Sequence, residues 1–369
     1  MRRVAALLAL LLLATCAPKP VPPPPIAATP PAPVAPISVC QLAANGGPIL
    51  GDRGIGGTGL SADEERLVER GIGGTGIGTQ IPPSVVRGLT ENRGAGRRPK
   101  DERTGDAGIV GVITGFGSIC IDGNEVGLDG SVPMRIDGNT APGTALRAGQ
   151  VAVIDAAIDD GGLRSLLLSV RHEIAGPIER RGASDGTMIV AGQTVAVPAS
   201  IEGAGTFAPG DWVRVSGLRR PDGSIVATRL DPMPNGLVSL SGRVEDEHGK
   251  LRIGQTTLVP PPGVRVSAGM FVTVSGHYAA GTLRADMLEH DLLAQDPIAY
   301  FGSAARRIIE HAIVRIETGR VLLNSNVAVP LAADVSVPNG DAVNAVITMQ
   351  RGADGAFTVT KVDVVTPNR

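Results

Sequence analysis

The chain reads as an all-β protein: a tandem array of about four small five-stranded β-barrels behind an N-terminal region rich in proline and glycine. Three observations lead there. After residue 107 one plan recurs four times: an apolar–Gly–apolar strand, a hairpin with a tight turn, a strand opened by glycine, and a closing hairpin. The opening strands centre on Gly111, Gly176, Gly242 and Gly302, at steps of about 60 to 66 residues, a period that marks an array of small domains. Aromatic residues make up only 2% of the chain, while Gly contributes 50 and Pro 29 of its 369 residues. That balance favours turns and leaves Val, Ile, Leu and Ala to form the cores.

Within each unit the elements follow from their patterns. The first hairpins are ICIDGNEVGL (119–128), MIVAGQTVAV (188–197), LRIGQTTLV (251–259) and VLLNSNVAV (321–329). Next come GQVAVIDA from Gly149, GDWVRVSG from Gly210, GMFVTVSG from Gly269 and GDAVNAVI from Gly340. Their period-two alternation marks strands with one buried face. The inward set is then Ala152 and Ile154, Val213 and Val215, Val272 and Val274, Val343 and Ala345. Each unit closes with a glycine turn and a strand: GGLRSLLLSV (161–170), DGSIVATRL (222–230), GTLRADML (281–288) and DGAFTVTKVDVV (354–365). Five short strands without a convincing helix predict closure into a barrel, because closure removes the edges that would otherwise pair with neighbours. The units divide at 107–172, 173–235, 236–294 and 295–369, with the turn signals DPMPNG and LLAQDP at the later joints. Units this small sit near the limit at which one core sustains folding, so neighbours should pack together. Trp212 aligns with Phe271 on the face opposite the buried valines, which makes the two a candidate inter-barrel interface or ligand platform.

The N-terminus supplies an address. Residues 1–15 read as a signal peptide: Arg2 and Arg3, an apolar run from Val4 to Leu13 too short to span a membrane, then small residues before Cys16. Leu13-Ala14-Thr15-Cys16 resembles the bacterial lipobox, which implies lipidation of Cys16, although Thr15 departs from the Gly, Ala or Ser usual before the cysteine. Ala17 rather than Asp after the cysteine implies, by resemblance to sorted lipoproteins of Gram-negative bacteria, the outer membrane. Residues 16–50 form a Pro-rich tether, with PKPVPPPP and PPAPVAP as extended polyproline spacer.

Residues 51–106 carry DRGIGGTGL (52–60) and ERGIGGTGI (69–77), which match a dinucleotide G-x-G-x-x-G by spacing. A preceding strand and following helix are absent, and so is a Walker Lys-Ser or Lys-Thr, so turn glycines explain them better. SADEERLVER (61–70) can form one short helix capped by Ser61. The Arg-rich stretch 87–103 alternates with acids and reads as a solvated linker. With 34 basic against 36 acidic residues and few aromatics, no nucleic-acid partner is expected. The five histidines show neither H-E-x-x-H nor Cys-x-x-Cys company and read as exposed or turn residues. No G-x-S-x-G elbow occurs, so no cofactor, metal or catalytic residue is assigned.

The paired R-G-I-G-G-T-G segments, ITGFGSICIDGNEV (113–126) and the Gly-Asp-x-Val-x-Val-x-Gly pattern at 210–217 give the chain a resemblance to bacterial exported or lipid-anchored proteins carrying domain of unknown function 5666. That resemblance looks strongest over 52–155, and it implies small barrels similar to the oligonucleotide/oligosaccharide-binding fold. It implies no activity. The reading is therefore a non-enzymatic lipoprotein of the cell envelope, whose barrels bind or scaffold an envelope protein or glycan, periplasmic or surface-facing. The rivals are a glycan-acting enzyme with carboxylates between barrels, and a structural spacer. A binding module predicts an exposed groove shared by adjacent barrels, and an enzyme predicts converging acids. With Cys16 lipidated, Cys40 and Cys120 remain as a candidate disulfide in an oxidising compartment, against the alternative of a buried free thiol.

Overall fold

The computed structural model describes Cys40 and residues 105–366, apart from 117, 160–161, 183–185, 202 and 324–326. Cys16, the tether, both GIGGTG segments and the 61–70 helix lie outside the described residues.

Strands dominate. The first unit contributes β1 (Ala107–Gly115), β2 (Ile119–Ile121), β3 (Asn124–Gly127), β4 (Met134–Ile136), β5 (Asn139–Thr140), β6 (Val151–Asp159) and β7 (Gly162–Arg171). The second contributes β8 (Ile174–Arg181), β9 (Thr187–Val190), β10 (Gln193–Ala196), β11 (Trp212–Arg219) and β12 (Ile225–Pro232). These last five close on themselves: β8 pairs with β9, β9 with β10, β10 with β12 in parallel, β12 with β11, and β11 with β8. The result is a closed five-stranded barrel with no unpaired edge. In the first unit β1, β2, β3, β7 and β6 pair in the same cyclic order, again with a parallel step between β3 and β7.

The third unit contributes β13 (Val238–Arg243), β14 (Glu245–Glu247), β15 (Lys250–Ile253), β16 (Thr256–Val259), β17 (Phe271–Ala279) and β18 (Thr282–His290). Val244 interrupts its opening strand, so that β13 pairs with β17 while β14 pairs with β15. Two short helices follow, α1 (Leu292–Gln295) and α2 (Pro297–Phe301). Then come β19 (Arg307–Glu317), β20 (Arg320–Leu322), β21 (Ala328–Pro330), β22 (Gly340–Arg351) and β23 (Phe357–Val364). Here the parallel step is a single bridge from Leu331 to Val359.

Two sequence expectations need correction at this joint. LLAQDP is not a bare turn: the Asp291 and Asp296 side chains accept hydrogen bonds from the Ala294 and Ala299 N–H groups, and Pro297 opens α2 with its fixed φ. Gly302 therefore ends a helix at φ 76° and is not the centre of an opening strand, which begins five residues later at Arg307.

The alternation reading holds in space. Ala152, Ile154, Val213, Val215, Val272, Val274 and Ala345 are all fully buried, and Val343 is half-buried against the core that holds Ala345. Full burial of one such side chain contributes about 1.5–3 kcal/mol for Val-sized groups and larger. The closing glycines of the VSG pattern have a specific task. Gly217 and Gly276 sit where the β11–β12 and β17–β18 ladders shift register, and a Cβ there would lie 2.5 Å from the Val226 carbonyl oxygen or 2.1 Å from that of Arg284. Only glycine lets the two backbones approach so closely.

The order of packing is nested. β8 pairs antiparallel with β13, joining the second and third units in one eleven-stranded sheet with a common core. β1 pairs in parallel with β19, joining the first unit to the last in a twelve-stranded sheet.

Candidate functional site

Two hollows lie where the units meet. The smaller, a cavity of about 60 Å³, is lined from both sheets by Val110, Val151, Arg171, Glu173, Arg219, Phe271, Leu293, Glu310 and His311 among others. Its wall is a charged chain. Arg171, at the end of β7, donates to both carboxylate oxygens of Asp291 at 3.1 and 2.6 Å and lies 3.5 Å from Glu173. Burial disfavours the guanidinium's charge, yet Asp291 and Glu173 hold its pKa above even the usual arginine value. Asp291 is correspondingly held below the ordinary carboxylate range: burial opposes this, and the Arg171 charge overrides it. Glu173 is shared with Arg219, which also donates to the Gly223 and Ser241 carbonyls. A bidentate arginine–carboxylate pair fixes orientation as well as charge, so this chain registers the first, second and third units against one another.

Glu310 differs from those acids. It is 7% exposed, Oε2 has no hydrogen-bond partner among the described residues, and no guanidinium offsets it. Burial, with a smaller contribution from the Asp296 charge, pushes its carboxyl up to about 7. Next to it, His311 hydrogen-bonds through Nδ1 to Asp122 at 2.9 Å and through Nε2 to Asn344 at 2.9 Å. Burial works against the imidazolium, but the Asp122 carboxylate and Asn344 hold the pKa above the ordinary histidine value. Asp122 also accepts from the Val112 N–H at 2.8 Å, and Gly111 leaves room for its carboxylate, since a Cβ there would lie 2.3 Å from Oδ2. His172, the other buried histidine, meets Asp137 at 2.7 Å. Both are buried, so the reading of the histidines as exposed or turn residues fails for His311 on β19 and holds for His172 only in its place between two strands; each faces a carboxylate that a distant strand or turn supplies.

The larger hollow is a cleft of about 480 Å³ between the second and third units. One wall is the 192–194 hairpin tip and the 219–224 turn, and the other is Arg243, Glu245 and the 253–255 hairpin tip, with Phe271 at the base. The two tips clasp each other. Gln193 Nε2 donates to the Ile253 carbonyl at 2.6 Å and lies 3.1 Å from Thr256 Oγ1, whose hydroxyl donates to the Ala191 carbonyl at 2.6 Å. Gln255 N–H donates to the Gly192 carbonyl at 3.0 Å. The same three residues, Gly-Gln-Thr, stand at 192–194 and 254–256, so the clasp is built from one motif used twice.

Of the residues singled out from sequence, Phe271 is buried and lines both hollows. Trp212 lines neither and packs, half-buried, on the core of the second and third units. The two rings therefore share neither hollow. Cys40 is joined to Cys120 by a disulfide that spans 80 residues. Among the described residues no group of three or more His, Cys, Asp or Glu side chains is placed to hold a metal ion, and no helix is long and apolar enough to cross a membrane. Glu310, Asp291 and the Gly-Gln-Thr clasp were missed from sequence. The repeated Gly-Gln-Thr and the polar Glu-His pair inside the apolar run RIIEHAIV were the available signals.

Residues 175–231, the closed second barrel, match the family model described as a domain of unknown function, DUF5666. The matched stretch includes the 210–217 pattern, whereas 52–155 lies outside it. No curated protein and no solved structure matches the chain.

Proposed function

We propose that the chain is a non-enzymatic lipoprotein of the cell envelope, anchored through Cys16 at the outer membrane. Its four barrels form a binding or scaffold module that receives a glycan or an envelope protein in the cleft between the second and third units. The observation that carries this reading is the cleft itself. At about 480 Å³ it lies within the roughly 300–1,000 Å³ range of small-molecule sites, and polar groups of two adjacent barrels line it. The nested pairing of the first unit with the last speaks against an extended spacer, which would keep those units apart. An enzyme would need free acids beside an accessible hollow. In the small cavity Glu173 and Asp291 are tied to arginines, and Glu310 has room beside it for water but not for a substrate; in the cleft Asp222 is bound by Ser224, which leaves Glu245 without a second free acid beside it.

A photo-crosslinking side chain placed at Gln255, on the cleft rim, tests the reading in intact cells. The expected result is a discrete adduct absent from a control at exposed Lys361 and lost when Thr194→Trp fills the cleft. Equal background from both positions would refute it.

A further inference from the structure

The cleft between the second and third units presents an arginine from each wall, and the two differ from their neighbour Arg219 in what they have left to offer. Arg219 is consumed by Glu173 and by the Gly223 and Ser241 carbonyls. Arg220, on the turn between β11 and β12, hydrogen-bonds through its side chain only to Ser224 Oγ, at 3.2 Å, among the described residues, with the Asp222 carboxylate close enough to feel its charge. Arg243, the last residue of β13, is exposed and its side chain makes no hydrogen bond or ion pair among the described residues. Two guanidiniums with spare donors, carried on different barrels and opening on one cleft, match the planar acceptor edges of a carboxylate or phosphate.

The remaining groups narrow the class. Asp222 accepts from Ser224 N–H at 2.9 Å and Ser224 Oγ at 2.7 Å, and these bonds hold its carboxyl below the ordinary range. With Glu245, Thr194 and the Gln255 amide it places acceptors and donors around the rim, where ligand hydroxyls can be satisfied in both directions. Apolar lining is confined to Phe271, Ile253 and Pro221. That is too little for a lipid chain, and it lacks the exposed aromatics on which nucleic-acid bases stack.

Resting on the cleft as the binding site, we propose that its ligand is an acidic saccharide: a hydroxyl-rich ring bearing a carboxylate or phosphate, the anion held between Arg220 and Arg243.

Isothermal titration of the full-length chain with a galacturonic acid trisaccharide, glucose 6-phosphate, maltotriose and citrate tests this. At least one acidic sugar should bind. The double variant Arg220→Ala, Arg243→Ala should weaken it at least tenfold, while Arg284→Ala, exposed and outside the cleft, leaves it unchanged. Arg243 is exposed and Arg220 half-buried on a turn, so matched thermal unfolding of the double variant checks that the fold is retained. Preference for the uronate or for the sugar phosphate separates the two sources of the anion. Citrate binding as tightly as the sugars would overturn the saccharide class. Maltotriose binding as well as the acidic sugars, insensitive to the double variant but abolished by Thr194→Trp, would overturn the acidic class and leave the cleft standing. No binding at all, together with a Gln255 crosslink indifferent to Thr194→Trp, would overturn both.

Discussion

Glu310→Gln should flatten the pH dependence of stability. In the folded chain the carboxyl is pushed up to about 7, against 4.5 for an unperturbed glutamate, because burial and then the Asp296 charge disfavour its charged form. Between those two values the folded state holds a proton that the unfolded state has lost, so stability falls as pH rises from about 4.5 to 7 and is level beyond. The interval of about 2.5 units corresponds to at most about 3 kcal/mol, at 1.36 kcal/mol per unit. The Glu310→Gln side chain cannot ionise, so the variant should lose this decline while keeping the volume. Its amide adds a constant offset that is independent of pH, so the readout is the difference between pH 5 and pH 8 and not the stability at either one. Urea unfolding followed by circular dichroism at both pH values measures it. Because pH 5 already lies above the unfolded value, the wild type should lose about 2.5 kcal/mol more than the variant on going from pH 5 to pH 8. His311 contributes a separate decline. Its raised pKa gives stability that is full below about 6.5 and lost as pH rises through the folded value, and this part should survive in Glu310→Gln. Parallel pH curves for the two proteins would refute the assignment of Glu310 as a buried, uncompensated acid.

Gly276→Ala forces a Cβ to within 2.1 Å of the Arg284 carbonyl oxygen and should cost on the order of 2–3 kcal/mol, read as a lowered urea midpoint; an unchanged midpoint would mean the bulge can relax. Reduction of the Cys40–Cys120 bridge opens a loop of 80 residues and should cost about 4 kcal/mol in the chain-entropy account, with thiol-blocked, unreduced protein showing both cysteines unalkylated by mass spectrometry. Cys16→Ser should release the protein from membranes, and the wild-type chain should incorporate labelled palmitate; co-fractionation of the variant with outer membranes would count against the anchor.

The sequence by itself determined the all-β class, the first hairpins, and which face of each Gly-initiated strand turns inward. Each is a local property. Alternation with period two sets the buried valines of 213–215 and 272–274, and the glycines of the VSG pattern mark the bulges that the closed sheet needs. The same local reading went astray at LLAQDP, where capping aspartates and a proline outweigh a turn-like composition. Only the tertiary structure decided which unit packs against which. The parallel pairing of β1 with β19 joins residues 200 positions apart, and nothing in either strand names its partner. The burial of Glu310 and His311 follows from that pairing. Asn344 reaches His311 within the last unit, but Asp122 and the far walls of the small cavity become neighbours only after the first and last units have met. The cleft with Arg220 and Arg243 has the same origin. Each arginine stands on its own barrel as an ordinary surface charge, and it is the clasp of Gln193 with Thr256 that makes them face one hollow.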